Sequence, residues 1–202
     1  MLTVLLIRHG ETVGDAARRF VGWTDLPMSE AGEAQIRALA ARLSGRVTIK
    51  AIHCSDLKRS RRTAELLAEG RETPIHVHPA LREIRLGDWE GLDREWVAQS
   101  QPDAYRRRGA DIANFRPRGG ESFADLAARA LPLWRDLTKD AAESNDVIAI
   151  AAHAGVNRVI LGYALGMPLD HLFRLAQRPG CLNVIAWSRS GPTVRLLDGS
   201  SL

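Results

Sequence analysis

The segment Leu2-Thr3-Val4-Leu5-Leu6-Ile7-Arg8-His9-Gly10 decides the fold. Residues 2–7 are apolar at nearly every position. A run of that length reads as a strand covered on both faces, as in a parallel sheet. It then breaks into Arg-His-Gly, a charged and flexible sequence that cannot continue a buried strand. Two further runs have the same character: residues 47–54, with Val47, Ile49 and Ala51 alternating, and Val147–Ala152. Between them the apolar spacing becomes helical. Ser29 is placed to cap a helix carrying Ile36, Leu39, Ala40 and Leu43 on one stripe. Lys58–Ala68 follows the second strand. Ser122 is placed to cap a helix with Phe123, Leu126, Ala127, Ala130, Trp134 and Leu137 on one stripe, slightly kinked at Pro132. Val156, Val159, Ile160 and Tyr163 mark a helix after the third strand, ended near Gly166 and Pro168. Residues 181–187 and 193–197, around Ser-Gly-Pro, predict a hairpin at the sheet edge.

Strands alternating with helices imply an α/β protein. The expected architecture is a three-layer α/β/α sandwich with a mostly parallel sheet and an antiparallel edge strand. Residues 71–120 are irregular and rich in Arg, Gly and Pro, with short helices expected near Trp96 and Tyr105 over the site. With no repeat or linker, residues 1–202 read as a single domain.

Composition narrows the class. Hydrophobic residues make up 45% and charged residues 26% of the chain, the balance of a soluble globular protein rather than a disordered one. No apolar run reaches the roughly 18–20 residues of a membrane span. The opening lacks the basic n-region of a secretory signal. Cys54 and Cys181 are too few for a disulfide scaffold and suit a reducing cytoplasm, the expected location. Three of the 28 basic residues are lysines, leaving 25 arginines. Arginine suits bidentate phosphate contacts, so an arginine-lined pocket, a nucleic-acid footprint and a plain compositional bias all remain open on composition.

Ligands of open α/β sheets bind beyond the carboxyl ends of the strands. After the first strand comes Arg8-His9-Gly10-Glu11-Thr12, after the second Ser55-Asp56-Leu57-Lys58-Arg59, and after the third His153-Ala154-Gly155-Val156-Asn157-Arg158. Two histidines and two arginines therefore meet at one edge, where Gly10 and Gly155 would let a ligand approach the backbone. This cationic, donor-rich cluster suits a dianionic phosphoryl group. A neutral imidazole beside such a group is a competent nucleophile, and surrounding positive charge keeps it unprotonated. The leaving oxygen needs a proton. Glu83, among apolar residues in Leu81-Arg82-Glu83-Ile84-Arg85-Leu86, is the candidate donor, because a phosphate nearby favours the protonated carboxyl. The competing reading of Glu83 is an ion pair with Arg82 or Arg85.

These segments together resemble the histidine phosphatase superfamily, the phosphoglycerate-mutase-like proteins. The resemblance rests on Arg8-His9-Gly10; on Ser55, Leu57, Arg59, Thr63 and Ala64; on Glu83 with Gly87, Trp89, Glu90 and Gly91; and on His153 with Gly155. Gly119-Gly120-Glu121-Ser122 is similar to the family's helix entry. The matches run in order over most of the chain. The resemblance implies that His9 is phosphorylated, that Arg8, Arg59 and His153 bind the phosphoryl group, and that Glu83 serves as general acid and base. It implies no metal or organic cofactor for the phosphatase branch. Length and the Trp89-Glu90-Gly91 segment resemble that branch, and within it the α-ribazole phosphatases, a likeness that residues 177–181 strengthen. One position departs: many members carry Asn six residues after the nucleophile, and Asp15 stands here. Its carboxylate would repel phosphate, so Asp15 is left out of the binding set.

Other residues read more plainly. His76 and His78 alternate on one strand with no third partner in view, and His53 and Cys54 face opposite ways, so no metal site is expected. Of Arg59, Arg61 and Arg62, one is expected in the site and two in solvent. Arg106-Arg107-Arg108 reads as a solvated helix end or a rim that steers anions. Trp23, Trp89, Trp96, Trp134 and Trp187 read as core or pocket wall. The expected activity is a phosphomonoesterase acting on a small phosphorylated metabolite, with no nucleic-acid or membrane partner and a homodimer as the default assembly. The rivals are mutase-type phosphoryl transfer and non-enzymatic phospho-ligand or nucleic-acid binding.

Overall fold

The structure, a computed structural model, describes residues 1–14, 18–139 and 145–199. In chain order the main elements are β1 (Leu2–Arg8), α1 (Glu30–Leu43), β2 (Ile49–Cys54), α2 (Lys58–Ala68), β3 (Ile75–Val77), α3 (Arg94–Ser100), α4 (Pro102–Ala110), α5 (Phe123–Thr138), β4 (Val147–Ala152), α6 (Ala154–Ala164), β5 (Leu182–Ser188) and β6 (Gly191–Gly199). The strands form one sheet in the order β3-β2-β4-β1-β5-β6. Pairs β3–β2, β2–β4 and β4–β1 are parallel, and β5 runs antiparallel to β1 and β6. The antiparallel strand thus sits one place in from the edge, and β6 takes the edge itself.

The sheet is covered on both sides because its central strands are apolar on both sides. In β1, Leu2, Val4 and Leu6 pack with Leu126, Ala130 and Trp134 of α5 and Val156 and Ile160 of α6. The intervening Leu5 and Ile7 pack with Ile36, Leu39 and Leu43 of α1 and Ala64 and Leu67 of α2. A side-chain period of two therefore feeds two cores from one strand. Full burial of each such Leu or Ile contributes about 1.5–3 kcal/mol.

Local signals set the helix ends. Ser29 accepts from Gly32 N at the start of α1, and Ser122 forms a capping box with Asp125 at the start of α5. α5 continues through Pro132, which lies on the exposed face together with Ala128, the residue whose carbonyl loses its partner there. The second strand is two residues shorter at its start than the apolar run suggests. No helix among the described residues is long and apolar enough to cross a membrane.

Candidate active site

Register builds the site. Arg8 pairs with Ala152 across β1 and β4, and Cys54 with Ala151 across β2 and β4. Three adjacent parallel strands therefore end level, delivering His9, Ser55 and His153 side by side. His9 N donates to Ala152 O at 3.0 Å, fixing the first loop against the end of β4.

His9 is 7% exposed and its Nδ1 lies 2.7 Å from Gly10 O. A carbonyl only accepts, so Nδ1 carries the proton and Nε2 keeps its lone pair. Burial, then the charges of Arg59 and Arg8, hold the His9 imidazole well below its usual range, and burial with the same arginines does so for His153. Burial outweighs the arginine charges in both. The His153 Nε2 is 2.8 Å from Ser55 Oγ. The Arg59 guanidinium donates to Thr24 O at 2.9 Å and Gly22 O at 2.6 Å, and Arg8 donates to Gln177 O. Arg8 Nε, Arg59 Nε and His153 Nδ1 are buried without a hydrogen-bond partner among the described residues.

Glu83, in the segment between β3 and α3, is seated against the start of α6. Its carboxylate accepts from Gly155 N at 3.0 and 3.1 Å and from Ile84 N at 2.9 Å. It makes no ion pair with Arg82 or Arg85: Arg82 binds Asp56 instead. The backbone around it is fixed by Trp23 Nε1 and by Arg129, both donating to Glu83 O. His9, Arg8, Arg59 and Glu83 open onto a cleft of about 710 Å³. Another hollow of about 470 Å³, around residues 45–49 and 71–73, holds none of these groups.

A family model of the histidine phosphatase superfamily (branch 1) matches residues 4–199. The chain belongs to that superfamily. The glucosyl-3-phosphoglycerate phosphatase of Mycolicibacterium vanbaalenii is 34% identical over 83% of this chain and 76% of its own length. The adenosylcobalamin/α-ribazole phosphatase of Salmonella typhimurium is 29% identical over 98% of this chain and 96% of its own. The crystal structure of the α-ribazole phosphatase from Shigella flexneri superimposes with a TM-score of 0.87 at 25% identity, covering 99% of this chain and 98% of that one. This histidine phosphatase is accordingly a hydrolase of phosphoric monoesters.

Of the five residues expected in the site, Arg8, His9, Arg59 and Glu83 line the cleft, whereas His153 is fully buried and does not line it, its ring edge to face with His9 at 5.2 Å. Asp15 lies outside the described residues. The two glycines act differently from expectation. A Cβ on Gly10 would lie 2.2 Å from Gly32 O, and one on Gly155 would lie 2.3 Å from Glu83 Oε1. Protein atoms, not a ligand, occupy those spaces. His76 and His78 do have a third partner: His53 pairs with His76 in register, its ring stacks on His76 at 5.2 Å, and its Nδ1 lies 3.0 Å from His78 Nε2. Parallel register, invisible in a single strand, joins them. No group of three or more His, Cys, Asp or Glu residues among the described ones is arranged to hold a metal. Trp96 is exposed rather than core.

Sequence reasoning missed the role of Glu90. Its carboxylate accepts from the N–H groups of Gly22, Trp23, Thr24 and Leu86 and from Thr24 Oγ1, tying the loop that receives Arg59 to the loop that carries Glu83. The signal was present in the Trp89-Glu90-Gly91 segment, but a carboxylate that binds backbone has no periodicity to reveal it.

Proposed function

We propose that His9 is the nucleophile of a two-step hydrolysis of a small phosphorylated metabolite. In the first step His9 Nε2 forms a P–N bond while the ester P–O bond breaks, and Glu83 gives its proton to the departing alkoxide. In the second, water attacks phosphorus, its proton returns to Glu83, the P–N bond breaks and inorganic phosphate leaves. Arg8, Arg59 and His153 offset the charge on the equatorial oxygens. For His153 to donate, its Nδ1 carries the proton and Ser55 donates to Nε2.

The observation that carries this reading is the Nδ1 bond of His9 to Gly10 O, which leaves a neutral Nε2 near the buried Arg59 and the half-buried Arg8. The test is rapid quenching with a 32P-labelled monoester. Wild-type protein should yield an acid-labile, alkali-stable phosphoprotein, and His9→Ala should yield none and lose p-nitrophenyl phosphate hydrolysis. Near-normal turnover by a folded His9→Ala variant refutes the assignment.

The phosphatase names of the relatives above favour hydrolysis over mutase transfer. The names of the relatives suggest α-ribazole phosphate or a phosphoglycerate ester as substrate. A nucleic-acid role is disfavoured: Arg62, Arg82, Arg116, Arg129 and Arg178, outside the cleft, are engaged by carboxylates. Two core faces on one sheet support reading residues 1–202 as one domain. Two free, buried cysteines support a cytoplasmic location.

A further inference from the structure

Glu83 sits in a stretch with no ladder to hold it. Between β3 and α3 the chain forms only the short turns Pro79–Leu81 and Gly87–Trp89. Residues 82–86 between them belong to no helix or strand. Such a segment keeps one shape only if its backbone groups find partners elsewhere.

One side chain supplies several of them. Arg129 of α5 donates through Nη1 to Ala80 O and Arg82 O, both at 2.8 Å, and through Nη2 to Glu83 O at 3.0 Å. Its remaining N–H groups go to Glu121, Nε to Oε1 at 3.0 Å and Nη2 to Oε2 at 2.8 Å. A guanidinium carries five N–H groups in a rigid plane, and here every one is used. Glu121 extends the clamp. Its Oε2 accepts from Arg85 N at 3.0 Å, and its own N–H donates to Arg85 O at 2.7 Å. The two side chains are 21% and 19% exposed, so water competes weakly for them. An ion pair placed for stability alone needs only its acid. This one is also aimed at three carbonyls on the N-terminal side of, and at, the residue that carries the acid. The main chain of Glu83 is thus held from α5, while its carboxylate is received by Gly155 N of α6 and by Ile84 N.

We infer that Arg129 is the positioning residue of the general acid: its planar fork fixes the backbone of residues 80–83 so that the Glu83 carboxyl meets the departing oxygen. This rests on the reading of Glu83 as proton donor above and adds the residue on which that role depends. Arg129 touches neither substrate nor phosphorus.

Leaving-group dependence tests it. Phenyl phosphate and p-nitrophenyl phosphate are alike in shape, but phenolate is the more basic leaving group and needs the proton more. The ratio of kcat/KM for p-nitrophenyl over phenyl phosphate reports the step in which the acid acts. In Glu83→Gln that ratio should rise. In Arg129→Lys, which keeps the charge and the pairing with Glu121 but lacks the fork, it should also rise, by about tenfold or more, the effect of a misplaced acid. If Arg129→Lys does not fold, Glu121→Gln carries the same test, since it weakens the partner of the fork and should raise the ratio in the same sense. A purely structural role lowers both esters equally and leaves the ratio at its wild-type value. That outcome in the folded variant, with the ratio raised in Glu83→Gln, overturns the positioning role and leaves the acid reading standing. An unchanged ratio in Glu83→Gln removes the acid reading and this inference together, as does failure of wild-type protein to hydrolyse either ester.

Discussion

The rings of His9 and His153 meet edge to face, their centroids 5.2 Å apart and their planes inclined at 62°. Both imidazoles are buried beside Arg8 and Arg59, and a proton on either would repel the other and both guanidiniums.

Both histidines should therefore stay neutral across the range where an ordinary imidazole titrates. Burial and neighbouring positive charge disfavour the protonated form, so the folded value lies well below 6.5. Imidazole C–H resonances assigned to His9 and His153 should not move between pH 8 and pH 5.5. A midpoint near 6.5 for His9 would contradict the electrostatics described here.

Gly155→Ala should impair chemistry more than folding. The added methyl would lie 2.3 Å from Glu83 Oε1 and must push the carboxylate off its seat at the start of α6. Displacement of a catalytic group by about 1 Å costs on the order of a hundredfold in rate. The variant should melt within a few degrees of wild type while kcat drops by about that factor. Undiminished kcat would show that the seat is not needed.

Glu90→Gln should loosen the two loops. Burial raises the Glu90 pKa, but hydrogen bonds from Trp23, Leu86, Thr24 and Gly22 outweigh it, so the net shift is downward. A depressed carboxyl stabilises the fold above its unfolded value, and that stability is lost as pH falls through the folded value. Urea unfolding at pH 7 should show a loss of about 1–3 kcal/mol in Glu90→Gln. The difference should shrink below pH 4. A gap independent of pH would rule out the ionised carboxylate as its source.

The histidine stack at the β2–β3 edge should shape acid stability. Burial, then His78 and His76, lower His53 to about 4 from 6.5. Between those values the unfolded chain takes up the proton that the folded one refuses, so stability falls as pH falls from 6.5 towards 4. His53→Gln should lose less stability than wild type over that interval, read from melting temperatures at pH 7 and pH 4.5. An identical loss would place the acid sensitivity elsewhere.

The parts legible in sequence were those governed by local rules. Continuous apolar runs marked β1 and β4, Ser29 and Ser122 marked helix starts, and residues following buried strands marked the site. What stayed hidden depends on partners distant in the chain. His53 meets His76 through register. Glu90 reaches back to Gly22, and Gly10 is needed for a carbonyl 22 residues later. Arg129 closes on carbonyls 46 to 49 residues earlier, and no spacing in the sequence announces that its fork will meet them.

The level ends of β1 and β4 also bear on how the enzyme comes into being. Residue 8 meets residue 152 only when the two strands dock, a loop closure spanning most of the polypeptide. A ribosome-bound fragment lacking β4 has His9 and its neighbours but no pocket around them. Recovery of turnover after dilution from denaturant should thus report late assembly of the whole sheet rather than early local folding, and no half-made chain would consume the cell's phosphate esters.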